Sequence, residues 1–213
     1  MATQTSAVNS QKQDLSAAQQ IQKLREAYAD APEAGRVALE KILGELEGAV
    51  HAQQRVEAAQ KSSTAGRIGL RQGKVSELTI IVKFAPGGAK RLRALFKLLG
   101  NKFEGADKVG TVHDMRFVFL DNDTRLMFCT AYDGDWDSYI DDFATKIPDA
   151  MDVVFCNMEG WPGITSPKVK DYIVSTQIPA DAWYVASPNL TVAEGRRLEK
   201  VGTAVEEFLD KIS

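Results

Sequence analysis

The sequence is poor in the residues that would place the protein in several common classes. Only two of its 213 residues are cysteines, Cys129 and Cys156, so a disulfide-stapled secreted scaffold is not predicted. Residues 1–13 are polar and lack the apolar segment of a secretory signal peptide. No apolar run approaches the ~18 residues that a membrane span needs. We therefore expect a cytoplasmic protein that does not cross a membrane.

Strong net charge and catalytic motifs are also missing. Lysine and arginine number 26 against 29 aspartates and glutamates, which gives a formal net charge of -3. This balance gives no electrostatic reason to expect nucleic acid or an anionic membrane as a partner. The chain contains no phosphate-loop, Gly-x-Ser-x-Gly, His-Glu-x-x-His or Cys-x-x-Cys motif. The residues alone therefore assign no enzyme class.

Composition divides the chain into four parts. Residues 1–13 are rich in serine, threonine, glutamine and asparagine and are predicted to be a disordered tail. Residues 14–61 carry apolar residues at helical spacing with a break at Pro32, which predicts a helical hairpin arm. Residues 62–75 contain several glycines and serines and are predicted to be a linker. Residues 76–213 are predicted to form the α+β domain, with a C-terminal helical extension.

The predicted arm has a narrow apolar stripe in a surface of strong helix propensity. Its second helix carries a series on one side that consists of Leu39, Leu43 or Ile42, Leu46 and Val50. Two isolated helices of this length are marginal in water, so the stripe must be covered by something. We expect the arm to support oligomerisation or partner binding and to contain no catalytic residue.

The domain is predicted to be ferredoxin-like, with the element order β-α-β-β-α-β in an antiparallel sheet. Two apolar runs on either side of residues 121–123 predict a hairpin. The expected strand order is 4-1-3-2, with both helices on one face. The four predicted strands are, in order, SELTIIVKFA, GTVHDMRFVFL, TRLMFCTAY and AMDVVFCNM, and the two predicted helices follow PGG and begin at DGDW.

Two further helices are predicted after the fourth strand. The first covers residues 168–174, and the second begins at SPNLT. The second carries an apolar series that is typical of a structured helix. Its members are Val192, Leu198, Val201, Val205, Phe208 and Leu209.

Three stretches together resemble a sparsely characterised bacterial and fungal family: VHDMRFVFLDNDTRLMFCTAYDGDWDSYIDDF, VVFCNMEGWPG and AWYVASPNLTV. The resemblance covers residues 110–209. By fold that family looks like the dimeric α+β barrels, which include dye-decolourising peroxidases and chlorite dismutases, cofactor-free oxygenases and binding proteins. The resemblance implies a homodimer, a small-molecule ligand and haem as a candidate cofactor. It implies no particular reaction, because one fold hosts many functions.

His113 is the first candidate site residue. Alternation along the second predicted strand places it with Met115, Phe117 and Phe119 on the side that faces the helices. There it could ligate haem or a substrate in a pocket between sheet and helices. A hydrogen-bonded structural histidine near a strand end is the alternative, and both interpretations stay open at this point.

The remaining candidates are Arg116 and three aromatic residues. Arg116 is expected on the opposite face of the strand, where it can bind an anion or, as we favour, pair with Asp114. Tyr132, Trp136 and Tyr139 are oxidisable and lie near His113 in the sequence. We list His113 and Arg116 as candidate catalytic residues, and His113, Tyr132, Trp136 and Tyr139 as candidate cofactor-binding residues.

No metal site and no disulfide are predicted. Asp133, Asp135 and Asp137 fit the first positions of a calcium loop, but Ser138 and Ala144 stand where glycine and glutamate are needed. Helix capping and solvated charge explain the acidic run better. The two cysteines are expected on strands that lie two spacings apart, about 9.5 Å, too far for a disulfide. Both are predicted to be small buried hydrophobic residues.

Two functional hypotheses follow. The first is a small-molecule or haem-linked oxidative enzyme, peroxidase-like or oxygenase-like, with its pocket between sheet and helices. The second is a non-catalytic binding or assembly module that uses the sheet face and the N-terminal arm. A homodimer is expected because an apolar sheet face needs cover. That face is predicted to carry Thr79, Ile81, Val112, Val118, Met127 and Cys129.

Overall fold

The computed structural model describes residues 16–53, 63–99 and 104–212. These residues belong to two compact units, one within Met1–Ala59 and the other within Gln60–Ser213. The predicted disordered tail lies outside the described residues.

The first unit contains two helices, α1 (Ala17–Ala27) and α2 (Glu33–Gln53). Ser16 caps α1 in a capping box, because its hydroxyl accepts from the Gln19 N–H while the Gln19 side chain accepts from the Ser16 N–H. Pro32 stands immediately before α2, at the break that the sequence predicts. Arg25 of α1 pairs with Glu40 of α2 at 3.0 Å.

The predicted apolar stripe of the arm is only partly described. Leu39 and Leu43 are buried, whereas the side chains of Leu46 and Val50 lie outside the described part of α2. The role of the two helices as a hairpin arm for assembly stays a prediction.

In the described part of the second unit, five strands form one antiparallel sheet. They are β1 (Ser63–Thr64), β2 (Leu70–Gln72), β3 (Val75–Lys83), β4 (Val112–Leu120) and β5 (Arg125–Asp133). Their order is β1-β2-β3-β5-β4. The sequence therefore predicts the mixed α+β class and the antiparallel sheet correctly.

The long strands pair as the sequence predicts for its first three strands. β3 pairs with β5 from Val75 opposite Asp133 to Lys83 opposite Arg125, and β4 pairs with β5 as a hairpin. All three residues of the turn, 121–123, have positive φ angles of 50° to 65°. Asparagine and aspartate tolerate this left-handed conformation better than other residues that carry a Cβ. The predicted hairpin is confirmed.

The described part of the second unit also contains six helices, and the first five cover one face of the sheet. The six helices are α3 (Gly88–Leu99), α4 (Glu104–Val109), α5 (Trp136–Lys146), α6 (Pro148–Phe155), α7 (Val169–Thr176) and α8 (Val192–Ile212). The core joins inward residues of β3, β4 and β5 to residues of α3 through α7, and it includes Leu92, Phe128 and Phe143. The helix predicted at residues 168–174 corresponds to α7, and the last predicted helix to α8.

The predicted fourth strand is wrong, because its residues form α6. Pro148 occupies the first turn of this helix, where its missing N–H costs nothing, and Asp149 suits the positive end of the helix dipole. Met151, Val154 and Phe155 follow at helical spacing and pack against or within the core. The β-branched pair Val153 and Val154 favours a strand by propensity, but this burial decides the conformation.

Short segments occupy the edge of β3 that the fourth strand would have filled. β2 pairs with the start of β3. Farther along, the Ile178 N–H donates to the Thr79 carbonyl at 2.8 Å, and the Glu159 N–H donates to the Lys83 carbonyl at 2.9 Å. Backbone groups at this edge thus find partners without a continuous strand. The full ferredoxin-like order is not confirmed, although its 1-3-2 part is present.

The segment predicted as a linker carries β1 and β2. Gly69, between them, has a φ of +98°, and a Cβ there would collide with the Glu77 carbonyl. This glycine therefore permits a close backbone approach as well as an unusual backbone conformation.

None of the helices in the described ranges has the length and apolar character that crossing a bilayer demands.

Candidate functional site

An apolar cavity of about 430 Å³ lies between the helix-covered face of the sheet and the ends of four helices. Met115 and Phe117 of β4 and Phe128 of β5 line it from the sheet. The helical side is formed by Leu98 and Leu99 of α3, Gly105 and Ala106 of α4, Phe143 of α5, and Met151 and Val154 of α6. We call this space the apolar cavity.

Local sequence explains why the cavity has these walls. Alternation along β4 directs Met115 and Phe117 toward the helices, and Phe117 lies directly opposite Phe128 in the sheet. The two phenyl rings pack with centroids 4.8 Å apart. Opposite them stand the small residues Gly105 and Ala106, which leave volume that larger side chains would fill. Leu98 and Val153 are exposed and line the cavity where it meets solvent.

The cavity suits an apolar molecule. None of the described residues that line it has an ionisable side chain, and their only side-chain heteroatoms are the thioether sulfurs of Met115 and Met151. Its volume falls within the ~300–1,000 Å³ of small-molecule sites, which are mostly apolar. Such a lining can hold a molecule by shape and hydrophobic contact, but it offers no acid, base or nucleophile.

The apolar cavity does not fit a histidine-ligated haem. His113, the one histidine in the sequence of the second unit, is not among the residues that line it. Within the described ranges, no three histidine, cysteine, aspartate or glutamate side chains cluster so that they could hold a metal ion. An axial imidazole would have to come from elsewhere.

Tyr132, Trp136 and Tyr139 lie in the hydrophobic core and do not line the apolar cavity. The two tyrosine rings stack with centroids 3.8 Å apart. The Tyr139 hydroxyl is 2.7 Å from the Thr130 hydroxyl, and the Trp136 indole N–H donates to the Gln177 side chain at 2.7 Å. Burial raises the pKa of Tyr132 and of Tyr139 well above the ordinary tyrosine value. The structure therefore gives these candidates packing partners rather than access to a ligand.

His113 lies at a β-bulge that sequence alternation does not reveal. Val112 is opposite Tyr132 and Asp114 is opposite Ala131, so His113 is the extra residue between them. Its Nε2 is 2.7 Å from Oδ1 of Asp133, rather than near the apolar cavity. The prediction that His113 shares a face with Met115 in a common pocket is therefore wrong. Val112 packs against the core on the helix-covered side of the sheet. The prediction that it lies on the opposite face, which we call the open face, is therefore wrong.

Asp133 links His113 to the start of α8. Its second carboxylate oxygen, Oδ2, accepts from the Val192 N–H at 2.9 Å. A surface cleft of about 470 Å³ lies beside this contact, and its polar lining includes His113, Ser187, Thr191, Arg196 and Glu199. A histidine held by a carboxylate is a common element of acid–base sites, but the orienting role is equally a structural one. We call this space the His113 cleft.

Arg116 forms the ion pair with Asp114 that the sequence favours, at 3.3 Å. Both side chains are largely exposed, with 68% and 46% of their surface accessible. An exposed pair of this kind contributes little to stability. The structure therefore places Arg116 apart from the apolar cavity and from the described lining of the His113 cleft.

The acidic run is engaged by basic side chains. Asp135 pairs with Arg71 at 2.6 Å, and Asp137 pairs with Arg67 at 2.9 Å and with Lys170 at 3.1 Å. The hydrogen bond from Arg67 is the main reason that the pKa of Asp137 lies below its ordinary value. Asp135 stands at the N-cap position of α5, although its side chain makes no capping hydrogen bond, so ion pairs at a partly exposed surface account for these carboxylates.

Both cysteines are free, as predicted. The prediction that both are buried on strands is wrong. Cys129 of β5 is half-buried, and Cys156 is exposed at the C-terminal end of α6.

Comparison with known proteins finds no match to the chain among protein-family models, curated proteins or solved structures.

Sequence reasoning missed the helical side of the apolar cavity because it treated α6 as a strand. A signal was present: Ile-Pro-Asp at residues 147–149 is a helix-start pattern, and Met151, Val154 and Phe155 have helical spacing. No comparable signal marks Gly105 and Ala106, whose importance lies in the volume they leave.

Proposed function

We propose that this protein binds a small apolar molecule in the apolar cavity. The observation that carries the proposal is a volume of about 430 Å³ walled by leucine, valine, isoleucine, phenylalanine, methionine, alanine and glycine. Binding without catalysis is also part of the second sequence-based hypothesis, which places it on the sheet face. Here the ligand lies between the sheet and the helices instead.

Two effects favour an apolar ligand in this cavity: it displaces weakly held water, and it buries its apolar surface. Water in such a cavity finds few hydrogen-bond partners, so an apolar ligand displaces little that is well held. Each Å² of apolar ligand surface that leaves water contributes roughly 25 cal/mol. Binding of this type is recognised by a negative heat-capacity change and is often enthalpy-driven at room temperature.

Fluorescence titration with N-phenylnaphthylamine, a neutral apolar probe, tests the proposal. Ala106→Phe places a phenyl group in the cavity from α4 and is expected to weaken probe binding by about tenfold or more. Lys108→Phe adds the same group on an exposed position of the same helix and is expected to leave binding within about twofold. Equal binding by both variants and the unmodified protein would contradict the proposal, provided that circular dichroism shows both variants folded.

Haem-linked oxidative chemistry is a second candidate, favoured by one observation. A carboxylate beside a histidine, as in the contact between Asp133 and His113 at 2.7 Å, is a common arrangement around metal-ligating imidazoles. The contact occupies Nε2, and Nδ1 is the ring nitrogen left for a ligand. The two candidates place their ligands in different spaces, so a single titration separates them.

Haem titration of the purified protein is that test. A Soret band that disappears in His113→Ala and persists in Ala106→Phe would support the second candidate. A spectrum of free haem in both variants and in the unmodified protein would remove it and leave binding of an apolar molecule unaffected.

A further inference from the structure

The described hydrogen bonds and ion pairs that join the last helix, α8, to the rest of its unit lie near its start. Thr191 and Glu194 form a capping box, and Lys74 pairs with Glu194 at 2.8 Å. One turn later, Arg196 pairs with Asp107 of α4 at 2.5 Å. No residue of α8 is buried, and every residue from 196 to 212 is exposed.

The exposed part of α8 carries an uncovered apolar stripe. Each of its members is between 50% and 64% exposed. They recur alternately three and four residues apart, the spacing that builds the seam of a coiled coil. The apolar stripe consists of Leu198, Val201, Val205, Phe208 and Ile212.

Charge along α8 is divided into two halves of opposite sign. Residues 196–203 contain three basic side chains and one acidic, whereas residues 204–212 contain three acidic and one basic. Negative charge near the C-terminal end opposes the helix dipole, so this arrangement is unfavourable for an isolated helix. It becomes favourable when a second helix with the same sequence lies antiparallel, because the basic half of one helix then lies beside the acidic half of the other.

We propose that α8 packs antiparallel against α8 of a second copy of this chain, forming a symmetric homodimer. With the stripe in register, Leu198 faces Phe208 of the other copy and Val201 faces Val205. The two-fold axis then passes between the two helices at the level of residue 203 along each of them. Such an interface is isologous, as in most homodimers.

Small residues lie where the two helices would approach most closely. Gly202 and Ala204 flank the centre of the stripe, and a Cβ built on Gly202 would meet no atom of the described residues within 4 Å. Glycine inside a helix lowers its stability. A second helix that packs closely against Gly202 would offset this cost. A single helix stripe is smaller than a standard interface, which buries ~800 Å² per partner, so a concentration-dependent dimer is expected.

Sedimentation equilibrium of the full chain across the micromolar range tests the pairing. The unmodified protein is expected to shift from monomer to dimer with concentration. Val201→Glu with Val205→Glu places unpaired carboxylates in the seam and is expected to raise the dissociation constant about 100-fold or more. Thr203→Glu adds charge on the outer face of the same helix and is expected to leave the dissociation constant within about threefold.

Charge reversal tests the antiparallel orientation. Arg197→Glu with Lys200→Glu makes both halves of α8 acidic and is expected to raise the dissociation constant about tenfold. Adding Glu206→Lys and Glu207→Lys to that variant restores opposite halves and is expected to restore the dimer. In a parallel pair the unmodified halves already repel, so the first variant would not weaken the dimer.

Three results would overturn the proposal. The first is an unmodified protein that stays monomeric throughout the range, whether or not α8 then binds vesicles of phosphatidylcholine and phosphatidylserine. The second is a dimer that survives Val201→Glu with Val205→Glu, which would place the interface elsewhere, for example on the open face of the sheet. The third is a dimer whose dissociation constant does not change in the Arg197→Glu with Lys200→Glu variant.

Discussion

At the scale of single residues, several polar side chains hold other side chains or helix ends in place. Asp133 holds both His113 and the first N–H of α8, and Glu194 caps the same helix. Trp136, which the sequence suggests as a cofactor neighbour, uses its indole N–H on Gln177 inside the core. Oxidisable aromatic residues are thus not evidence of a redox site when each one has a packing partner.

Glu194 gives the clearest prediction from electrostatics. The hydrogen bond from Lys74, followed by those from the Thr191 backbone and hydroxyl, lowers the pKa of this carboxyl to about 2. Its contribution to the start of α8 is present above the ordinary pKa of 4.5 and is lost as pH falls through about 2. Carbon-13 NMR titration is expected to show this midpoint.

Two variants test whether Lys74 is the main cause of the lowered pKa of Glu194. Lys74→Met removes the largest contribution and is expected to move the Glu194 midpoint upward toward 4.5. Lys200→Met removes a cation from the same helix that makes no described contact with Glu194, and is expected to leave the midpoint unchanged. An unshifted midpoint in Lys74→Met would contradict the assignment.

At the scale of elements, α6 shows how burial overrides propensity. Its β-branched residues favour a strand, but Pro148 starts a helix, and three residues at helical spacing reach the core and the cavity. The loop after α6 is tied back to it by Asp152, whose Oδ1 accepts from the Trp161 indole N–H and the Ile164 N–H, each at 2.8 Å.

This clamp yields a stability prediction. Asp152→Ala leaves two partly buried donors without an acceptor and is expected to lower the free energy of unfolding by about 1–3 kcal/mol. Asp152→Asn keeps an oxygen at the same place and is expected to cost less than about 1 kcal/mol. Urea denaturation measures both; equal losses would indicate that the charge, rather than the two hydrogen bonds, matters.

At the scale of the whole molecule, the described part of the second unit has one helix-covered sheet face and two further apolar surfaces. Thr79, Ile81, Met127 and Cys129 lie half-buried on the open face of the sheet, and α8 exposes its stripe. Of these surfaces, the stripe has the charge pattern on which the proposed pairing of two copies rests. The proposed ligand cavity and the proposed interface lie in separate parts of the same unit.

Global stability is expected to fall at alkaline pH. Burial raises the pKa of Tyr132 and of Tyr139 above the ordinary value of 10.0, so both stay neutral in the folded protein after the unfolded chain ionises. Their contribution is therefore complete below pH 10 and declines as pH rises beyond it. Urea denaturation at increasing pH, with tyrosinate absorbance recorded in parallel, should show the decline.

The double variant Tyr132→Phe with Tyr139→Phe supplies the control. It removes both ionisations and is expected to flatten this part of the pH dependence, at the cost of the hydrogen bond to Thr130. A decline that persists undiminished would show that other groups govern alkaline unfolding.

The sequence by itself determined the elements whose cause is local. The run of β-branched residues in β3, the turn at residues 121–123, the break at Pro32 and the amphipathic spacing of α5 and α8 all act within a few residues of the chain. The mixed α+β class, the β4–β5 hairpin and the Arg116–Asp114 pair follow from such patterns.

Only the tertiary structure decided what depends on residues far apart. α6 is a helix because its apolar side chains reach a core built by other elements, and His113 turns to Asp133 because one inserted residue shifts the register of β4. The apolar cavity exists because small residues on α4 lie across from phenylalanines of β4 and β5. No pattern along the chain encodes an empty volume, since that volume is defined only when distant side chains pack around it.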